Sequence, residues 1–184
     1  VSQLVELAKD KNVVAIGETG LDYFRLQGDL SWQRNRFRTH IKAAIESELP
    51  LIIHTRKARE DTIKIMKEES AQKATGVMHC FTESYEMAKQ AIDLGFYISF
   101  SGIITFKNAE DLRETVRKIP LENILIETDS PYLAPVPNRG KLNEPANVTY
   151  VAEKIAEIKK IPLEKVAAET TKNFSQLFKK CNLI

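Results

Sequence analysis

The sequence predicts an α/β protein built on a parallel β-sheet, and two observations support this prediction. Five short apolar runs rich in β-branched residues recur at 13–17, 50–54, 76–79, 96–101 and 124–128. Segments with helical periodicity separate them, and connections of that length join parallel strands. With 184 residues and 43% hydrophobic content, the chain can bury one sizeable core, so we expect a single domain over 1–184.

The segments between the strands carry apolar residues at helical spacing. Ser31 and Ser84 are predicted N-caps, Gly95 suits the position just beyond a helix, and Pro120 ends another helix. A proline-rich loop spans 131–145. The predicted helices lie at 1–10, from Ser31 to about 45, and at 57–69, 85–94, 108–119, about 148–158 and about 163–178.

Charge and cysteine content narrow the functional class. The chain has 27 Lys and Arg against 25 Asp and Glu, so it lacks the basic surplus of a protein that simply coats nucleic acid. If the protein binds a polyanion, a few local residues must bind it, because the chain as a whole has little net charge. Only Cys80 and Cys181 occur, and no apolar run is suited to a signal peptide or a membrane span, so we expect a cytoplasmic protein without membrane partners. The first residue is Val1 and not Met, so we expect a processed, partial or partly recorded polypeptide.

Four candidate functional residues stand where predicted strands end: Glu18, His54, His79 and Asp129. In proteins with parallel sheets, the catalytic and ligand-binding residues lie on the loops at the carboxyl ends of the strands, in both open doubly wound sheets and closed barrels. A single strand-terminal histidine or aspartate is more often structural, but four together favour a site. The remaining histidine, His40, falls on a predicted helix and is interpreted as structural.

These residue types indicate metal chemistry. Imidazole nitrogens and carboxylate oxygens suit divalent ions such as zinc and manganese, and a pair of such ions activates water for hydrolysis. Other chemistries have little support. Ser130 and Cys80 stand outside any G-x-S-x-G motif, no Walker A loop is present, and 17–20 lacks a dinucleotide-binding pattern.

Five ordered motifs resemble the TatD family of metal-dependent deoxyribonucleases: 15–23 (AIGETGLDY), 50–56 (PLIIHTR), 78–81 (MHCF), 127–133 (ETDSPYL) and 139–145 (RGKLNEP). The resemblance implies a (β/α)8 TIM barrel of the amidohydrolase-like kind, of which about five of the eight βα units are present. It also implies a nuclease that hydrolyses DNA phosphodiester bonds, often from the 3′ end, at DNA ends or on single strands. The expected cofactors are Mg, Mn or Zn ions, two per site in the family.

The resemblance also implies roles for the strand-end residues. Glu18 would bind or bridge metal ions as a catalytic carboxylate, and His54 and His79 would be ligands to one ion. Asp129 would bind metal and orient or deprotonate the attacking water.

Arg56 and Arg139 are candidates for binding phosphate, because guanidinium makes paired hydrogen bonds to phosphate oxygens. Solvated loop charges are the alternative interpretation. Tyr132 would stack on a terminal base or, equally well, cap the barrel.

The sequence departs from the family at its beginning. Family members open with a strand ending in H-x-H, followed by two further strands, and no H-x-H is present here. We therefore expect an N-terminally incomplete domain whose exposed strand edges favour self-association. Two alternative functions stay open: a barrel hydrolase of small amides, lactones or aminoacyl esters, and an inactive fragment that binds a partner.

Overall fold

The computed structural model describes residues 1–181, which contain one parallel sheet of five strands. Its strands lie side by side in the order of the sequence. Doubly wound sheets reverse their strand order at a switch point, whereas barrels keep it. The serial order confirms five βα units of the barrel type. The strands are β1 (Ile16–Asp22), β2 (Leu51–Arg56), β3 (Gly76–Met78), β4 (Phe96–Phe100) and β5 (Ile124–Ile126).

Helices follow the predicted positions closely. The hydroxyl of Ser84 accepts a hydrogen bond from Met87 N–H at 3.4 Å, which confirms its capping role. The prediction for Ser31 is wrong, because Ser31 is the first helical residue and its own N–H donates to Asp29 at 2.8 Å. The α-helices are α1 (Ser2–Ala8), α2 (Ser31–Ser47), α3 (Arg59–Glu68), α4 (Tyr85–Asp93), α5 (Glu110–Lys118), α6 (Val148–Lys159) and α7 (Leu163–Leu177).

Strand β1 differs from its predicted bounds of 13–17. Its pairing with β2 shifts by one residue between Ile16 and Thr19, and it then continues to Asp22. Glu18 therefore lies inside the strand, and its predicted placement in a loop after the strand is wrong. Gly20 makes the continuation possible: a Cβ there would lie 1.9 Å from the carbonyl oxygen of His54. Only glycine allows the two backbones to approach so closely.

The two faces of the sheet are covered differently. On one face, strand residues such as Leu51 and Ile53 belong to the main apolar core beneath the helices. On the other, Val77 and Leu125 form a second cluster with Phe178 at the end of α7. Side chains alternate between faces along a strand. Three potential site residues each stand two positions beyond an apolar residue of this second face: His54, His79 and Glu127.

Within residues 1–181, β1 and β5 each pair with one neighbouring strand, so the sheet is open at both edges. Self-association through these edges stays a prediction. None of the helices in this range is long and apolar enough to cross a membrane. The cytoplasmic location expected from the sequence also stays a prediction.

Candidate metal centre

The most closely spaced donors are His79, Glu127 and Asp129. His79 Nδ1 lies 2.9 Å from Glu127 Oε2, and His79 Nε2 lies 3.4 Å from Asp129 Oδ1. One donor atom from each of the three residues falls within 4.8 Å of the others. An ion bound there would contact side chains from the ends of β3 and β5, which are separated in the sheet by β4.

A second histidine, at the carboxyl end of the sheet, lies between two carboxylates of β1. His54 Nδ1 is 3.3 Å from Glu18 Oε1, and His54 Nε2 is 3.1 Å from Asp22 Oδ2. Gln33 at the start of α2 fixes Asp22, because its side chain accepts from the Asp22 N–H and donates to the Asp22 carbonyl, both at 2.8 Å. Residues of β1, β2 and α2 thus orient the ring of His54.

Hydrogen bonds to the backbone and the conformation of the backbone position the residues that follow β3 and β5. The His79 N–H donates to the Ile53 carbonyl at 2.8 Å, which extends the pairing of β3 with β2. Asp129 adopts a left-handed backbone conformation (φ 60°) that aspartate tolerates better than most residues. The buried amide of Asn143 donates to the carbonyls of Thr128 at 2.8 Å and Tyr132 at 2.6 Å. The proline-rich loop therefore holds the turn that carries Asp129.

Electrostatics of the centre follow from these contacts. The hydrogen bond with Glu127 is the main reason that the pKa of His79 is raised to about 9. Burial alone would raise the pKa of Glu127, but the hydrogen bonds from His79 and the Cys80 N–H hold it below its usual value. Burial raises the pKa of Asp129, and the charges of Glu127 and Glu18 add to the effect. The centre concentrates negative charge that a cation would neutralise.

The donor set fits a divalent metal ion. Two carboxylates and an imidazole suit zinc and manganese. Glu127 Oε1 is buried and has no hydrogen-bond partner within residues 1–181. Buried carboxylate oxygens are normally satisfied, so an orphaned one on a residue of the donor group indicates a missing partner. A bound cation would satisfy it.

The four residues predicted from strand ends divide into two pairs. Glu18 lies with His54, and Asp129 lies with His79. The charge of Glu18 also acts on the pKa values of His79 and Asp129, so the pairs are electrostatically linked. The prediction that His54 and His79 share one ion is not tested by these distances, but each histidine has carboxylates of its own, as two separate ions would need.

Two carboxylates at the centre were not predicted, Glu127 and Asp22. The signal for Glu127 is strand alternation, since it stands two residues before Asp129 and two after the apolar Leu125. For Asp22 the only signal in the sequence is that it belongs to the same motif, 15–23, as Glu18. Its contact with His54 depends on the register of β1 against β2, which no local pattern specifies.

The predicted phosphate-binding arginines lie in different surroundings. Arg56 ends β2, with its guanidinium 3.7 Å from the ring centroid of Phe24. Arg139 lies over Phe106 at 3.6 Å, in the proline-rich loop. The side chain of Tyr132 is 71% exposed, so it does not close a barrel within residues 1–181. The phosphate roles stay predictions.

Comparison with known proteins agrees with this architecture. The family model described as TatD related DNase matches residues 1–179. A metal-dependent hydrolase of Escherichia coli K12, YcfH, is 52% identical over 97% of this chain and 67% of its own length. A metal-dependent hydrolase of Bacillus subtilis, YabD, is 49% identical over 95% of this chain and 68% of its own length. The chain thus spans about two thirds of the length of these relatives.

A solved structure shows the same fold. The crystal structure of YjjV, a TatD homologue from E. coli K12, superimposes with a TM-score of 0.88 at 29% identity and covers 97% of this chain and 69% of its own. The serial parallel strands and the metal donors at their ends define a metal-dependent hydrolase of the TIM-barrel type. Within that class, the chain belongs to the TatD related DNase family.

Proposed function

We propose that this chain hydrolyses phosphodiester bonds of DNA, removing nucleotides from the 3′ ends of single strands in a reaction that depends on divalent ions. The observation that carries the proposal is the group of His79, Glu127 and Asp129, whose donor atoms lie within 4.8 Å of one another. Family membership supports DNA as the substrate. The names of the relatives support metal-dependent hydrolysis.

His79, Glu127 and Asp129 would hold one ion, and the pair of Glu18 and His54 would supply donors for a second. When bound, such ions lower the pKa of water and neutralise charge on the phosphate and the leaving oxygen. Mg, Mn and Zn are the candidates, and counting the ions retained per chain by elemental analysis distinguishes one from two. A single retained ion would contradict the two-ion proposal.

Asp129 is the proposed general base. A carboxylate oxygen of Asp129 accepts a proton from the attacking water, and the burial that raises its pKa makes it a stronger base than a solvated aspartate. Glu18, beside His54, adds a second carboxylate whose charge acts on Asp129. Arg56, at the end of β2, is free to hydrogen-bond a phosphate oxygen because it has no carboxylate partner within residues 1–181.

The test is nucleotide release from 3′-labelled single-stranded DNA by the purified chain in Mg, Mn or Zn, run beside Asp129→Asn. We expect release that disappears both in the variant and with chelator. Glu153→Gln, an exposed carboxamide substitution on α6, is the matched control and should keep full activity. Cleavage that survives chelation or the Asp129→Asn change would contradict the proposal.

Two other outcomes identify the alternatives. Hydrolysis of small esters or amides with none of DNA would indicate a barrel hydrolase of another substrate class. Identical behaviour of wild type and Asp129→Asn in metal-binding and activity assays would indicate an inactive fragment.

A further inference from the structure

An open cleft lies directly beside the pair of Glu18 and His54. It has a volume of about 540 Å³, within the range of sites that hold small organic groups. Trp32 and Leu26 line it and are 50% and 45% exposed. Phe24 lines it as well. An apolar and aromatic surface next to a hydrolytic centre would contact whatever part of the substrate extends from the scissile bond.

The position of Trp32 relative to the centre is fixed. Its neighbour Gln33 is buried and holds both backbone polar groups of Asp22. The carboxylate of Asp22 in turn contacts His54 at 3.1 Å. Because two hydrogen bonds tie the first turn of α2 to the end of β1, the backbone that carries Trp32 is held beside the metal donors.

The same wall of the molecule carries unpaired positive charge. Arg36 lies over the ring of Trp32 at 5.0 Å, and Arg56 and Arg25 lie over the ring of Phe24 at 3.7 Å and 4.9 Å. Among residues 1–181, these three arginines have no carboxylate within 4.0 Å, whereas other arginines of this region, Arg34, Arg38 and Arg59, all form ion pairs. Free guanidinium groups beside aromatic rings are complementary to phosphates that alternate with bases.

We propose that this cleft binds an unpaired nucleotide of the substrate strand, with its base stacked on Trp32 and the adjoining phosphates held by Arg36 and Arg56. The inference rests on the proposed DNA hydrolysis and names the part of the substrate that the cleft recognises. A base in a duplex has both faces covered by its neighbours, so the cleft selects single strands and frayed ends. Stacking is tolerant of sequence because every base has a π-face.

Trp32 is the one tryptophan in the chain, so its fluorescence reports the cleft directly. The ligand is a thymidine pentamer with phosphorothioate linkages that resist hydrolysis, added in the presence of magnesium. An abasic pentamer with the same linkages is the matched control, because it carries the phosphates without the bases. We expect saturable quenching by the thymidine pentamer and binding of the abasic strand weaker by about 5- to 100-fold. Equal quenching by both strands, or none, would overturn the proposal.

Variants give an independent measurement. Trp32→Ala should raise KM for single-stranded DNA by about 5- to 100-fold, whereas Trp32→Phe should keep KM within about threefold because it retains a stacking ring. Leu7→Ala, at a 63% exposed site on α1, is the control and should leave KM unchanged. Equal KM values for Trp32→Ala and wild type would overturn the proposal. Circular dichroism and melting temperature verify that each variant is folded.

Failure of this inference is distinguishable from failure of the proposed function. Base-dependent quenching without hydrolysis would support the cleft and contradict the catalytic proposal. Hydrolysis without base-dependent quenching would contradict the cleft and leave the catalytic proposal standing.

Discussion

His79 Nδ1 lies 2.9 Å from Glu127 Oε2, and this contact joins the ends of two strands that are not neighbours in the sheet. The same carboxylate group has one oxygen on the imidazole and the Cys80 N–H, and the other buried without a partner in residues 1–181. Glu127 therefore orients the histidine and also offers a donor atom to an ion. This dual role makes Glu127 the most informative residue to change.

Glu127→Gln should weaken divalent-ion binding by about 10- to 100-fold, because it removes a charged donor and the partner that orients His79. Titration calorimetry with Mn checks this expectation. Glu153→Gln, exposed on α6, is the matched substitution and should bind as wild type does. Equal affinities in the two variants would show that Glu127 is not part of the centre.

Metal binding should release a proton. In the metal-free protein the pKa of His79 is raised to about 9, so its imidazole is protonated at neutral pH and must lose that proton to become a ligand. The apparent affinity should therefore rise as pH increases from 7 to 8.5, by about tenfold per pH unit, and level off above the pKa. Calorimetry in two buffers of different ionisation enthalpy measures the proton directly. Affinity that is independent of pH would exclude His79 as a ligand.

Removal of the ion should destabilise the fold. A ligand that binds only the native state at 100 times its Kd contributes about 2.7 kcal/mol, which corresponds to a melting-temperature change of about 5–10 °C for a chain of this size. Thermal melts with Mn and with chelator measure the difference. In Asp129→Asn the difference between the two conditions should be clearly smaller, and a full shift in that variant would argue for a different binding site.

Gly20→Ala should be among the more destabilising single changes in β1. Its Cβ would lie 1.9 Å from the His54 carbonyl oxygen, at a φ of 134°. The clash and the strained backbone together should cost about 3 kcal/mol or more in the free energy of unfolding. Gly28→Ala is the control, since Gly28 also has a positive φ but nothing lies within 4 Å of the added atom; it should cost about 1–2 kcal/mol. Urea unfolding of both variants compares them, and equal losses would refute the close-approach argument.

The sequence predicts the five strands and most helix positions, because the spacing of apolar residues and the placement of glycine and proline at segment ends are local features of a sequence. Strand β1 is the exception. Its extension to Asp22 comes from an extra residue on one side of a strand pair, and that register depends on the partner strand. The sequence of residues 13–22 alone therefore does not specify this register.

The sequence likewise indicates only some of the candidate metal donors. His54, His79 and Asp129 follow apolar runs, and this order is what marked them. Glu127 is not distinguished by the sequence because it shares a motif with Asp129, and which of these carboxylates face the centre depends on how β5 packs in the sheet. The division into two pairs follows from the distances between strand ends, which the sequence does not contain.

The end of α7 has a further consequence for assembly of the centre. Phe174 and Phe178 line an apolar cavity of about 380 Å³ that His79 and Glu127 border as well. The metal donors and the last helix therefore share one wall, although they are far apart in the chain. In a nascent polypeptide the donors emerge from the ribosome before α7, so we expect the centre to reach its final shape only when α7 has been released. A truncation that removes Phe174 and Phe178 would then alter metal affinity before it altered the rest of the sheet.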